Sequence, residues 1–214
     1  MSYLNKTLSE FLKELSSRSP VPGGGSAAAL TGALGMGLLG MAASYSIGKK
    51  TPKGRARDIK KLLRESARLR DRFARLVEED VQSYRRVVQA QRLAKFLPER
   101  RQRPFMEPSF RKALASALNI CKNAHRGILL SKVLLKKGNP HLASDVGTGG
   151  ALLSASFFSG RFLCEANLAV LRKTRLRAKL DRLLFFQEKE VRGLMTQLPK
   201  KVRLQVRTER RHAR

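Results

Sequence analysis

Apolar residues recur at helical spacing along almost the whole chain. Thr7 and Glu10 make a capping-box pattern with Leu8, Phe11, Leu12 and Leu15 on one stripe, and Pro20 and Pro22 close this first helix. The pattern predicts a second helix over about 26–47. A third starts near Arg57 and follows Ile59, Leu62, Leu63, Phe73, Leu76, Val77, Val81, Tyr84 and Val88 toward Leu97. Pro98, Pro104 and Pro108 read as a basic loop, because proline interrupts a helix interior. A fourth helix carries Phe110, Leu114, Ala117, Leu118, Cys121, Ile128 and Leu135 and stops at Gly138. A fifth begins at Ser144 as its N-cap and reaches about Leu171. A sixth uses Leu176, Leu180, Leu183, Leu184, Val191 and Leu194, with Pro199 after it. No run alternates convincingly with the two-residue period of a strand. The expected fold class is all-α: one helical domain over 1–199, then a basic, frayed tail over 200–214.

Charge divides the chain unevenly. Residues 49–112 hold 21 basic and 8 acidic residues and 161–214 hold 16 and 5, whereas 1–48 hold three and two. The formal net charge of +29 therefore sits on the segments that read as exposed helix faces. Such an excess attracts polyanions. With aromatics at 6%, no Trp and no RNA-binding or zinc-finger spacing, nucleic acid is the less favoured partner, and a solvated basic surface is the simpler reading. Cys121 and Cys164 are too few for a disulfide scaffold or a zinc site and read as reduced core residues. No metal site is expected. Lys6, Glu10, Lys13 and Glu14 break any signal-peptide pattern, which points to the cytoplasm. Residues 24–47 are uncharged for long enough to span a bilayer. Their many Gly, Ala and Ser residues gain little in lipid and allow close helix approach, so a buried core helix is preferred over a membrane span.

Two uncharged segments carry the candidate chemistry. Pro20-Val21-Pro22-Gly23-Gly24-Gly25-Ser26 and Gly138-Asn139-Pro140-His141-Leu142-Ala143-Ser144-Asp145-Val146-Gly147 each present a turn leading into a helix. The first N–H groups of a helix lack intrahelical partners, so such starts can hold an anionic group. At these residues the chain resembles the cyclodeaminase/cyclohydrolase family of folate enzymes. The likeness rests on Pro22-Gly23-Gly24-Gly25-Ser26-Ala27-Ala28-Ala29-Leu30, Gly48-Lys49-Lys50, Asp80 with Tyr84 and Val88, Gly138-Asn139, Ser144-Asp145-Val146-Gly147 and Asn167-Leu168. Leu163 stands where the family commonly has Asn. The resemblance implies an elongated multi-helix bundle, a homodimer and a tetrahydrofolate substrate without metal or redox cofactor. The reaction it implies is hydrolysis of 5,10-methenyltetrahydrofolate to 10-formyltetrahydrofolate. Closure of 5-formiminotetrahydrofolate with release of ammonia is the alternative, and a non-enzymatic basic helical protein binding nucleic acid is a third reading.

That chemistry needs a base for water, and a carboxylate would also stabilise a cationic bridge. Asp145, the only acid between residues 108 and 164, is the leading catalytic candidate; complementing the helix dipole is an equally good account of it. Asp80 is second, against the reading that it is one of three consecutive acids on a solvated face. Pro22, Gly23, Gly24, Gly25, Ser26, Lys49, Lys50, Asn139, Ser144 and Asn167 are the expected substrate-binding residues. The glycines would serve close ligand approach or close helix packing. His141 and His125 lack supporting context.

Overall fold

The computed structural model describes residues 2–49, 51–171 and 174–212. Among them are six α-helices and no strand: α1 (Leu8–Leu15), α2 (Gly24–Ser44), α3 (Lys53–Ala94), α4 (Glu99–Lys137), α5 (Ala143–Leu171) and α6 (Thr174–His212). Short 3₁₀ turns precede α1 and α5. With 42 residues, α3 is roughly 63 Å long. The capping box at Thr7 and Glu10 forms as expected.

The uncharged helix α2 lies at the centre, packed against α3, α5 and α4. It is long and apolar enough to cross a bilayer, but half of its apolar window is buried inside the protein. Its glycines serve helix approach. A Cβ on Gly32 would enter the Phe73 ring of α3 at 2.4 Å, and one on Gly35 would lie 2.9 Å from the Gly149 carbonyl oxygen of α5. Gly24 lies beside Leu163, Ser156 donates to the Ala28 carbonyl at 2.7 Å, and Gly35 meets Gly149, so α2 and α5 run antiparallel. Phe73, Met36, Leu39, Ile120, Leu153 and Phe157 fill the core between them. Cys121 and Cys164 are buried and free between α4 and α5. A hydrogen bond with Cys164, together with burial, pushes the Cys121 thiol far up and keeps it protonated.

Three boundaries differ from the sequence reading. The expected loop at Pro104 and Pro108 is instead the start of α4. These prolines lie four apart on an exposed face, so the carbonyls they leave without a helical partner face solvent. Arg103 anchors the segment by donating to the Val170 carbonyl at 2.6 Å. Ser144 is not an N-cap. The Pro140–Leu142 turn runs directly into α5, and the cap is Asn139, whose Oδ1 accepts from the His141 N–H at 3.1 Å. Finally, α6 continues through the exposed Pro199 to His212. Beyond that proline, Val202 packs over Gly147 and Gln205 donates to the Leu135 carbonyl at 2.6 Å, so the helix end is docked rather than frayed there.

Candidate functional site

Gly23 precedes α2 in extended conformation and caps it without a side-chain hydrogen bond of its own, and the Asp80 carboxylate reaches the third N–H of the helix, that of Ser26. The entry is held from behind, where Tyr3 Oη and Ser19 Oγ both donate to the Val21 carbonyl, at 3.1 and 2.8 Å. Pro22 is buried beside it. Space is open around Gly23, with no atom within 4 Å of where its Cβ would stand.

Beneath this turn lies Asp80 of α3. Ser26, fully buried, donates its hydroxyl to Asp80 Oδ2 at 2.9 Å. A Cβ on Gly25 would fall 2.0 Å from Asp80 Oδ1 and 2.4 Å from its Cγ. The third glycine is thus the seat of a carboxylate. Burial raises the pKa of Asp80, and hydrogen bonds from the Ser26 hydroxyl and backbone N–H hold the rise in check. The three consecutive acids have separate duties, so the solvated-face reading of Asp80 fails. Glu78 accepts from Ser2 Oγ at 2.6 Å and the Leu4 N–H at 3.1 Å, while Glu79 pairs with Arg72.

On the other side of the same helix start, α2 and α5 enclose a cleft of about 360 Å³ lined by Gly24, Ala27, Ala28, Thr31, Ser159, Phe162 and Leu163. Phe162 stands at its mouth, 67% exposed. Asn167 sits one turn further along α5, donating to the Leu163 carbonyl at 2.7 Å. The sequence reading did not assign Thr31, Ser159 or Phe162 to a site. The signal available was the 24-27-28-31 spacing, which marks one face of α2.

The remaining candidates lie at the opposite end. Lys49 is exposed in a turn after α2, where the Gly48 N–H donates to Thr51 Oγ1 at 2.9 Å. Lys50 is outside the described residues. Asn139 donates its N–H to Ser46 Oγ at 2.6 Å, which ties the start of α5 to the end of α2. Ser144 is exposed and Asp145 half-buried in the first turn of α5. Asp145 is 18 residues before Leu163, which places it roughly 27 Å from the glycine turn along α5. Within one chain the two motifs therefore do not converge. Among the described residues, no three His, Cys, Asp or Glu side chains are grouped to hold a metal ion.

Residues 7–183 match the formiminotransferase-cyclodeaminase family. The chain belongs to this family. It is 32% identical over 199 residues to the methenyltetrahydrofolate cyclohydrolase of Methylorubrum extorquens, covering 90% of each chain. It is 26% identical over 167 residues to the formimidoyltransferase-cyclodeaminase of Gallus gallus, matching 77% of this chain but only 31% of that longer protein. The fold is that of the formiminotetrahydrofolate cyclodeaminase of Thermotoga maritima, with a TM-score of 0.85 at 21% identity over 95% of this chain and 98% of that one.

Proposed function

We propose that the protein is a methenyltetrahydrofolate cyclohydrolase. The observation that carries the proposal is the Asp80 carboxylate, seated against Gly25 and hydrogen-bonded to Ser26 beneath an open helix start. The full-length likeness to the Methylorubrum enzyme supports it. Water adds to the methenyl carbon as a base takes one of its protons; the bond from that carbon to N5 then breaks, N5 takes up a proton as the new hydroxyl gives up its own to become the formyl carbonyl, and the formyl group stays on N10. A carboxylate with a raised pKa is suited to accept that proton and, while ionised, to stabilise the cationic bridge. The α2–α5 cleft takes the ring system, with the bridge lying over Gly23 and Gly24 toward Asp80. No metal or redox cofactor enters this reading.

We further propose a homodimer in the cytoplasm. The outward stripe of α2, with Leu34 56% and Tyr45 71% exposed and Met41 between them, carries no charge in a strongly basic chain. An apolar face of this kind suits a second copy. A two-fold axis perpendicular to α2 near its middle would set the helices antiparallel, as an isologous contact allows. The glycine turn and Asp80 of one copy would then face Lys49, Asn139, Ser144 and Asp145 of the partner subunit, which joins the two sets of candidate residues. Loss of methenyltetrahydrofolate absorbance on adding purified protein tests the activity, and no acceleration over the spontaneous rate refutes it. The family match and the Thermotoga fold favour ring closure of 5-formiminotetrahydrofolate as the second reading, tested by ammonia release.

A further inference from the structure

A second polar cleft, of about 200 Å³, lies between α3 and α4, lined among others by Glu79, Ser83, Arg86, Lys112, Ser116 and Asn119. Three observations single it out. First, the Ser116 hydroxyl is buried, with the residue 4% exposed, and has no hydrogen-bond partner. The helical hydroxyls of Thr31, Thr148 and Thr196 instead bond the carbonyl four residues back, at 2.9–3.0 Å. A buried polar group without a partner calls for one. Second, Arg86 from α3 and Lys112 from α4 flank the cleft, and neither forms an ion pair among the described residues. The acid that could neutralise them, Glu79, is engaged in a two-pronged pair with Arg72. Third, Ser83 and Asn119 add a hydroxyl and an amide to the same wall.

Guanidinium, ammonium, hydroxyl and amide groups can all donate here, so the complementary ligand is an acceptor carrying negative charge. The volume is below that of a site for a drug-sized molecule, which limits the occupant to a small group. We propose that this cleft binds an oxyanion, a phosphate or a carboxylate, held by Arg86 and Lys112 and accepting a hydrogen bond from Ser116. The group is supplied either by a free anion or by the end of a longer acidic chain. The proposal does not depend on the folate reading, because no residue of this cleft belongs to the site around Asp80.

The test is binding of inorganic phosphate at constant ionic strength, read by melting temperature and by calorimetry with chloride as reference. Wild type, Ser116→Ala, Lys112→Gln and the control Lys60→Gln, on an exposed face of α3, are compared. Phosphate should raise the wild-type melting temperature where chloride does not. Ser116→Ala should melt at or above wild type without phosphate, yet bind it roughly tenfold more weakly, since a hydrogen bond to a charged group is lost. Lys112→Gln should lose at least as much, and Lys60→Gln nothing. γ-Linked tetraglutamate in place of phosphate distinguishes the sources: tighter binding of the peptide assigns the cleft to a chain end, tighter phosphate binding to a free anion. Equal responses from all four proteins would overturn the proposal, leaving only diffuse charge screening and an ordered water on Ser116.

Discussion

Gly25 and Asp80 occupy each other's space: the Cβ that any other residue would carry at 25 falls 2.0 Å from the aspartate oxygen. Gly25→Ala should therefore displace the carboxylate and cost about 1–3 kcal/mol through overpacking, a melting-temperature loss of roughly 2–12 °C for a chain of this size. Turnover should fall with it. Gly23→Ala, where the space is open, should stay within about 1 kcal/mol of wild type. Equal losses from both variants would show that backbone freedom, not the aspartate, is what this glycine provides.

Asp80→Asn separates proton transfer from anchoring. In the folded chain burial raises the Asp80 pKa above its unfolded value. The stabilising contribution of the protonated form is complete below the unfolded pKa and is lost as pH rises through the folded one. The amide cannot ionise and still accepts from Ser26. The variant should thus melt at or above wild type at pH 7, with an advantage that shrinks on acidification. Its turnover should drop roughly 10²–10⁴-fold. In wild type, the acidic limb of the kcat/KM profile should lie above the ordinary carboxylate range. A turnover unchanged in Asp80→Asn would leave the residue a purely structural role.

Asp145→Asn should lower turnover far more than stability if the site is completed by a second copy. The decisive measurement is a mixture. Asp80→Asn and Asp145→Asn proteins, each inactive alone, are allowed to exchange subunits. About a quarter of wild-type activity should return, because half of the dimers are mixed and each then holds one intact site of two. No recovery despite demonstrated exchange would confine the site to one chain, and Asp145 would be left to complement the dipole of α5.

The basic surface makes a separate forecast. Exposed charges are screened over roughly 8–10 Å at physiological salt. If the +29 charge steers polyglutamylated folate, the apparent second-order rate should fall with added salt, and more steeply for longer glutamate tails. Salt-insensitive turnover combined with tight, salt-dependent retention of DNA or RNA would instead point to a nucleic-acid partner.

Much of this architecture was legible in the sequence, because apolar spacing and the Thr7–Glu10 capping box are local signals. The prolines at 104, 108 and 199 misled for a physical reason: a proline stops a helix only where its freed carbonyl has nowhere to go, and solvent meets that need on an exposed face. The glycine turn was visible, but not what it encloses. Glu78, Glu79 and Asp80 look alike in sequence, and only three-dimensional packing separates them: Glu78 meets the N-terminal segment, Glu79 pairs with Arg72 on α3 itself, and Asp80 meets Ser26 of α2. Ser116 gave no signal at all, since an unpartnered hydroxyl is a property of three-dimensional packing.

The contact of Gly35 with Gly149 joins positions 114 residues apart. During synthesis α2 leaves the ribosome with α3 close behind it, but long before the α5 face that covers its other side exists. At about 5–20 residues per second, the delay is roughly 6–23 s. Through that interval the α5-facing side of an uncharged helix, long and apolar enough to cross a bilayer, is exposed in the nascent chain. The arrangement that makes the finished core tight thus makes the unfinished chain a natural client for chaperones, and slowing translation between α2 and α5 should lower the soluble yield of the protein more than slowing it after α5.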